Sequence, residues 1–127
     1  MVDALPLIAV VDDEESVRTA VSRLMRARGF DAQTFASGED FLRSLEHRVP
    51  ACLILDLRMP QFNGFDVLGR INRRAVRLPV IVITGDDSPR SRLRALAHGA
   101  DAYLRKPVDE AMLLGAIRTS IRSASAR

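Results

Sequence analysis

Five short apolar runs divide the chain, at residues 7–11, 32–35, 52–55, 80–83 and 102–104. The first, third and fourth are continuous and rich in leucine or β-branched residues, as expected of strands covered on both faces in a parallel sheet. The run at 32–35 partly alternates and that at 102–104 is short, which places both nearer a sheet edge. Between the runs the period becomes helical. Val17, Ala20, Val21, Leu24 and Met25 fall on one helical face, and Gly29 supplies a stop. Ser37 followed by Asp40 reads as an N-terminal cap, with Phe41, Leu42 and Leu45 as the buried stripe. Phe65, Leu68 and Ile71 mark a third helix. Ser88 and Pro89 form a cap with proline at the first helical position. Leu93, Leu96 and Ala97 form the apolar side of that helix, and Gly99 ends it. Ala111, Leu114, Ile117 and Ile121 mark a last helix beginning near Asp109. Residues 1–122 then make one domain, and 123–127 read as a tail or the start of a linker.

Strand and helix alternate five times. Such alternation predicts an α/β fold: a doubly wound five-stranded parallel sheet, helices on both faces, joined by right-handed crossovers. The common strand order for five strands is 2-1-3-4-5, with ligands bound outside the carboxyl ends beside the first strand. The length of 127 residues suits a single domain. With 47% hydrophobic and 28% charged residues, disorder is excluded for most of the chain. No apolar run approaches the roughly 20 residues of a membrane span, and the start lacks the basic and apolar regions of a secretory signal. A cytoplasmic domain is the expectation. One cysteine, Cys52, excludes an internal disulfide and a cysteine-rich zinc site. With only His47 and His98 besides, any metal is bound through oxygen.

Charge changes the picture when it is divided along the chain. The formal total is +3, but residues 1–60 carry −3, residues 61–87 carry +1 and residues 88–127 carry +5. A basic end draws nucleic acid or an acidic partner. No aromatics interleave the arginines, so a solvated face is favoured over a nucleic-acid platform, and no direct nucleic-acid binding is expected. The cations are eighteen arginines and one lysine, Lys106. Arginine replaces lysine on most surfaces, but not where a compact, flexible point charge is required.

The predicted strand ends carry the candidate chemistry. The first runs into Asp12, Asp13, Glu14 and Glu15; the third ends at Asp56; the fourth at Thr84 and Gly85; the fifth leads to Lys106 and Pro107. In the order 2-1-3-4-5 these strands are neighbours, so the residues converge. Singly, each has a plain structural reading: helix caps for Asp12 and Asp13, a turn for Asp56, a strand position for Thr84, surface charge for Lys106. Jointly they describe a site. Clustered carboxylates repel, so either they raise one another's pKa or a cation neutralises them. A hard divalent ion fits, Mg²⁺ best where a phosphoryl group shares the site. A lysine and a hydroxyl suit phosphoryl oxygens, with an aspartate as acceptor. The rivals lack their parts. No G-x-G-x-x-G or Walker A pattern occurs, and the acidic loop after the first strand would repel a bare phosphate.

These motifs together resemble the receiver domain of two-component response regulators over about residues 6–122. They are Val10-Val11-Asp12-Asp13-Glu14, Leu55-Asp56-Leu57-Arg58-Met59-Pro60 with Gly64, Ile83-Thr84-Gly85 and Lys106-Pro107. The Asp-Leu-Arg-Met-Pro stretch and the Thr-Gly look most like the FixJ-type branch. The resemblance implies the CheY-like, flavodoxin-like (βα)5 fold. It implies that Asp56 accepts a phosphoryl group from a sensor histidine kinase, a histidine phosphotransfer protein or a small donor. It implies Mg²⁺ held by Asp13 and Asp56, by Asp12 through a water, and by the backbone carbonyl of Arg58. Thr84 and Lys106 would bind phosphoryl oxygens, and the Lys106–Pro107 bond would be cis. Thr84 and Tyr103 would form the switch, read out through the fourth helix, fifth strand and fifth helix, a possible homodimer face. Arg90 and Arg94 would share that face and meet acidic groups on a second copy or a downstream partner. Such a domain is a switch with modest self-catalysed phosphorylation and dephosphorylation, not an enzyme acting on a small molecule.

Two other classes remain open. One is a degenerate receiver acting as a phosphorylation-independent interaction module, which the intact acidic pocket argues against. The other is a Mg²⁺-dependent phosphohydrolase on the same fold, against which the missing general acid of haloacid-dehalogenase-type phosphatases argues. Those phosphatases place a second aspartate two residues after the nucleophile, where this chain has Arg58. Asp86 and Asp87 add acid after the Thr-Gly, and Asp86 would pair with Arg58 across the pocket mouth and hinder an attacking water. Val108 stands where many relatives have phenylalanine. Cys52 and Met59 read as packing residues, and His47 and His98 as helix-end surface residues.

Overall fold

The computed structural model describes residues 4–74, 77–85 and 88–125. Asp86 and Asp87, and with them the pairing expected between Asp86 and Arg58, lie outside the described residues. The elements run β1 (Leu7–Val11), α1 (Glu15–Ala27), β2 (Asp31–Phe35), α2 (Gly38–Ser44), β3 (Cys52–Asp56), α3 (Gly64–Asn72), β4 (Val80–Thr84), α4 (Pro89–Ala97), β5 (Ala102–Arg105) and α5 (Glu110–Ser125). The sheet is parallel in the expected order β2-β1-β3-β4-β5. Every residue of β1, β3 and β4 is buried, whereas β2 and β5 are the partly exposed edges.

The pleat sorts the central strands into two cores. Ala9, Val11, Leu53, Leu55 and Val82 pack on one face with Phe41 of α2 and Leu68 of α3. Ile8, Val10, Ile54, Ile81 and Ile83 pack on the other with Met25 of α1 and Ile117 of α5. Alternation within an all-apolar strand therefore still decides which helix each side chain meets.

Local signals place the helix ends. Ser37 Oγ accepts a hydrogen bond from Asp40 N, and Ser88 Oγ one from Ser91 N, with Pro89 opening α4. Asn63 and Asp66 form a reciprocal capping box at α3. Asp109 Oδ1 accepts from Met112 N at 2.9 Å at the start of α5. Gly29 and Gly99, just past α1 and α4, have φ of 90° and 100°, the left-handed conformation that favours glycine.

Three expectations are corrected. The apolar side of α4 is not buried: Leu93 is 69% and Leu96 38% exposed, Ala97 is exposed, and Ala95 is the residue that reaches the core. The small Ala95 side chain lets the helix lie close to the sheet, while the Arg94 guanidinium lies 3.9 Å from the Phe65 ring centroid. On α1, Ala20 is exposed and Ser22 is buried, its hydroxyl donating to the Thr19 carbonyl at 3.1 Å. The last helix continues to Ser125, so the first part of the tail expected at 123–127 is helical, because nothing in Ser-Ala-Ser breaks a helix. Within it Leu113 is buried and Ala111 exposed. No helix among the described residues is long and apolar enough to cross a membrane.

These assignments have a measurable consequence. Leu113→Ala, which empties a fully enclosed position, is expected to lower unfolding stability by about 2–5 kcal/mol in urea titrations. Leu93→Ser is expected to change it by no more than about 0.5 kcal/mol. A loss above about 1 kcal/mol for Leu93→Ser would overturn the placement of α4.

Candidate functional site

The strand order sets the site. Val11 at the end of β1 pairs with Leu55, Asp56 at the end of β3 pairs with Ile83, and Thr84 at the end of β4 pairs with Arg105. The residues at or just past those ends therefore share one rim. Asp12, Asp56 and Thr84 are each at most 2% exposed, whereas Asp13 is exposed. Asp12, Asp13 and Asp56 each offer a carboxylate oxygen, and these oxygens lie within 4.8 Å of one another.

Backbone contacts hold the two buried acids. Asp12 Oδ1 accepts from Glu14 N at 2.9 Å, and Arg18 Nη1 donates to the Asp12 carbonyl at 2.8 Å. Asp56 Oδ1 accepts from Arg58 N at 3.2 Å. Gly64 allows the chain after Asp56 to turn tightly. A Cβ there would stand 2.6 Å from the Asp56 carbonyl oxygen and 2.7 Å from Leu57 Cα, so α3 begins against the strand end only with glycine. On the far side Lys106 N donates to the Thr84 carbonyl at 2.8 Å, and the Lys106–Pro107 peptide bond is cis, as the resemblance implied.

The Lys106 ammonium meets three acids. Its Nζ lies 2.9 Å from Asp12 Oδ2, 3.1 Å from Glu14 Oε1 and 3.5 Å from Asp56 Oδ2. The Asp12 Oδ2 oxygen is buried and meets the Lys106 ammonium as an ion pair at 2.9 Å. The three carboxylates of Asp12, Asp13 and Asp56, with no nitrogen or sulfur ligand in the group, form a donor set suited to a hard divalent cation.

The titrating groups follow the same logic. Burial pushes the Asp56 carboxyl up from 3.8 to about 6. The Asp12 charge adds to the rise, while Lys106 and the Arg58 N–H oppose it and Asp13 adds a smaller increment. Burial alone would lower Lys106, but its bonds to Asp12 and Glu14 and the charge of Asp56 outweigh this, so it stays protonated well above neutrality. The Cys52 thiol is pushed up to about 12 by burial, then by the Asp101 charge, which leaves it an inert core residue.

The expected residues thus come together at one rim, with Tyr103 on β5. That tyrosine is 8% exposed and packs in the core shared with Ala95, more buried than an edge-strand aromatic need be. The Arg92 guanidinium lies 6.0 Å from its ring centroid. Two contributors were not singled out from the sequence. Glu14 was one member of a run of four acids, and which of them turns inward depends on where α1 starts. Arg18 reaches back because it lies one helical turn into α1.

The raised Asp56 pKa has a definite sign. Without divalent ions, the folded chain holds this proton between about pH 4 and 6, where the unfolded chain has lost it. Stability contributed by Asp56 therefore falls as pH rises through that window and is flat above it. In EDTA, Asp56→Asn is expected to gain about 2–3 kcal/mol at pH 8, with the gain shrinking below pH 6 and gone near pH 4. Chemical denaturation across that range checks it, and a gain independent of pH would refute the assignment.

Comparison with known proteins agrees with this geometry. The response regulator receiver domain family matches residues 8–118. The response regulator protein TodT of Pseudomonas putida is 35% identical over 124 residues, covering 98% of this chain and 55% of TodT. The transcriptional regulatory protein FixJ of Azorhizobium caulinodans is 33% identical over 121 residues, 95% of this chain and 57% of FixJ. The chain thus spans about half the length of these relatives. A response regulator receiver protein from Burkholderia phymatum superposes with a TM-score of 0.81 at 41% identity, covering 91% of this chain and 94% of that one. A match through nearly the whole chain, on a sheet whose rim gathers the motif residues, leaves one conclusion: the chain belongs to the response regulator receiver domain family.

Proposed function

We propose that Asp56 is the phosphoacceptor, that the acidic rim works with Mg²⁺, and that the donor is a sensor histidine kinase or a histidine phosphotransfer protein. The observation that carries this reading is the pair of environments of one carboxylate. Asp56 Oδ1 is fixed by the Arg58 N–H, while Oδ2 faces the Lys106 ammonium at 3.5 Å. One oxygen orients the group and the other attacks. In the transfer, an Asp56 oxygen bonds to phosphorus, the phosphorus–nitrogen bond of the phosphohistidine breaks, and the electron pair returns to the imidazole.

Asp12, Asp13, Asp56 and the Arg58 carbonyl would hold the ion, which supplies positive charge against the phosphoryl oxygens. Lys106 supplies the remaining charge and Thr84 a hydroxyl for one phosphoryl oxygen. The same rim supports slow self-catalysed phosphorylation from acetyl phosphate and slow hydrolysis. Movement of Thr84 toward the phosphoryl group would free space that Tyr103 fills, biasing an existing equilibrium. The readout is the face of α4, β5 and α5, where Leu93, Leu96 and Met112 are exposed beside Arg90 and Arg92. A second copy or an output domain would dock there. The interaction-only and phosphohydrolase readings are not favoured, since the rim retains every motif residue and Arg58 stands where the hydrolase acid would be.

Intact mass after incubation with acetyl phosphate tests the reading. One added phosphoryl group is expected with Mg²⁺, and none without it or in Asp56→Asn. Beryllofluoride with Mg²⁺ serves as a second probe where the adduct is short-lived. Failure of both the adduct and beryllofluoride binding would overturn the proposal in favour of a phosphorylation-independent module.

A further inference from the structure

Glu14 occupies the N-cap position of α1, where Ser, Thr, Asp or Asn ordinarily accepts a helix N–H. It makes no such bond. Its carboxylate instead reaches across the rim and accepts a hydrogen bond from Lys106 Nζ at 3.1 Å, joining residues 92 positions apart. Both ends of this contact are anchored. Glu14 N is held by Asp12 Oδ1, and the Glu14 carbonyl accepts from Arg18 N at 3.1 Å. Lys106 N is tied to the Thr84 carbonyl. The side chains differ in freedom: Glu14 is 59% exposed and Lys106 only 17%.

We infer that Glu14 is a positioning residue that parks the Lys106 ammonium on the α1 side of the rim and competes for it with phosphoryl oxygens on Asp56. The inference rests on Asp56 being the acceptor. Lys106 Nζ is nearer to Asp12 and Glu14 than to Asp56. Lysine carries a point charge on a flexible stem, so the ammonium can shift when new anionic oxygens appear. Asp12 is buried at the rim and its attraction remains in either position. Glu14 lies at the edge, and its contact is the one that must loosen. The group transfer itself is unchanged. An Asp56 oxygen bonds to phosphorus, the bond from phosphorus to the acetyl oxygen breaks, and acetate leaves with the electron pair. Glu14 alters how readily Lys106 follows the phosphoryl oxygens. An ion pair with one exposed partner shifts such an equilibrium by roughly two- to fivefold.

Glu14→Gln removes the competitor, and Glu15→Gln removes the same charge from the neighbouring exposed position. Calorimetric titration with beryllofluoride in saturating Mg²⁺ is expected to give roughly two- to fivefold tighter binding for Glu14→Gln than for wild type, with Glu15→Gln close to wild type. The acetyl phosphate reaction rate is expected to rise by a similar factor. Mg²⁺ affinity alone is expected to be alike in the two variants. Because the chain has one lysine, selective ¹³Cε-lysine labelling yields a single NMR signal for this group. In metal-free protein that signal is expected to move in Glu14→Gln and not in Glu15→Gln, and the remaining spectrum reports that both variants are folded. Equal effects of the two variants would mean that net charge acts rather than the ion pair, and would overturn the inference. So would weaker beryllofluoride binding by Glu14→Gln. A wild type that takes neither beryllofluoride nor a phosphoryl group would fail the acceptor reading instead, with the lysine signal still reporting on the ion pair.

Discussion

Everything at this rim follows from the burial of two carboxylates, Asp12 and Asp56, beside each other at the ends of adjacent strands. Burial makes each charge costly and the neighbouring charge adds to that cost, so the Asp56 carboxyl is pushed up first by burial and then by Asp12. The three central strands, apolar along nearly their whole length and buried on both faces, keep the acids from separating. Around them each neighbour offsets part of the repulsion. Arg58 N–H holds one Asp56 oxygen, Arg18 holds the Asp12 backbone, and Lys106 lies against both acids. The remainder is left for a cation or a proton, which makes the protonation state, metal binding and chemistry of Asp56 one linked equilibrium.

The sheet was legible because its cause is local. Runs such as Val80-Ile-Val-Ile have no alternative role in a chain of this size, and alternation with helices leaves few topologies. The site was legible for the same reason, since its residues lie at strand ends that the order makes neighbours. What escaped depended on orientation. Periodicity finds an amphipathic face but not what covers it, so Leu93 and Leu96 read as core while Ala95 is the residue that packs. Ser22 is buried because its hydroxyl is satisfied within the helix, which no hydropathy pattern registers. In the run Asp12 to Glu15, only the start of α1 decides that Asp12 is buried, Asp13 faces the rim and Glu14 crosses to the lysine.

The attachment of α4 bears on signalling. Ala95 is the one residue that α4 buries, and arginines of this helix lie over Phe65 and Tyr103, so its core contribution is small. Cation–π contacts at partly exposed positions contribute about 0.5–1 kcal/mol each. An element fastened in this way is easily biased, as a switch requires. The arginine over Tyr103 also gives a direct link, because any rearrangement of that ring alters a contact of α4. The exposed Leu93 and Leu96 fit the readout face proposed above, since such a surface needs apolar area that the domain itself does not consume.

The solitary lysine ties the two halves together. Among the arginines, Arg18 serves the rim by donating from its side chain to the Asp12 carbonyl, a fixed contact that a planar guanidinium suits. A guanidinium at position 106 would lock two planar bonds onto one carboxylate. An ammonium among three carboxylates at 2.9, 3.1 and 3.5 Å is committed to none of them. On the proposed function, that lack of commitment would let one charge offset the resting repulsion and then follow new anionic oxygens. On that reading, lysine suits position 106 because charge must move over a short distance there rather than be held in one place.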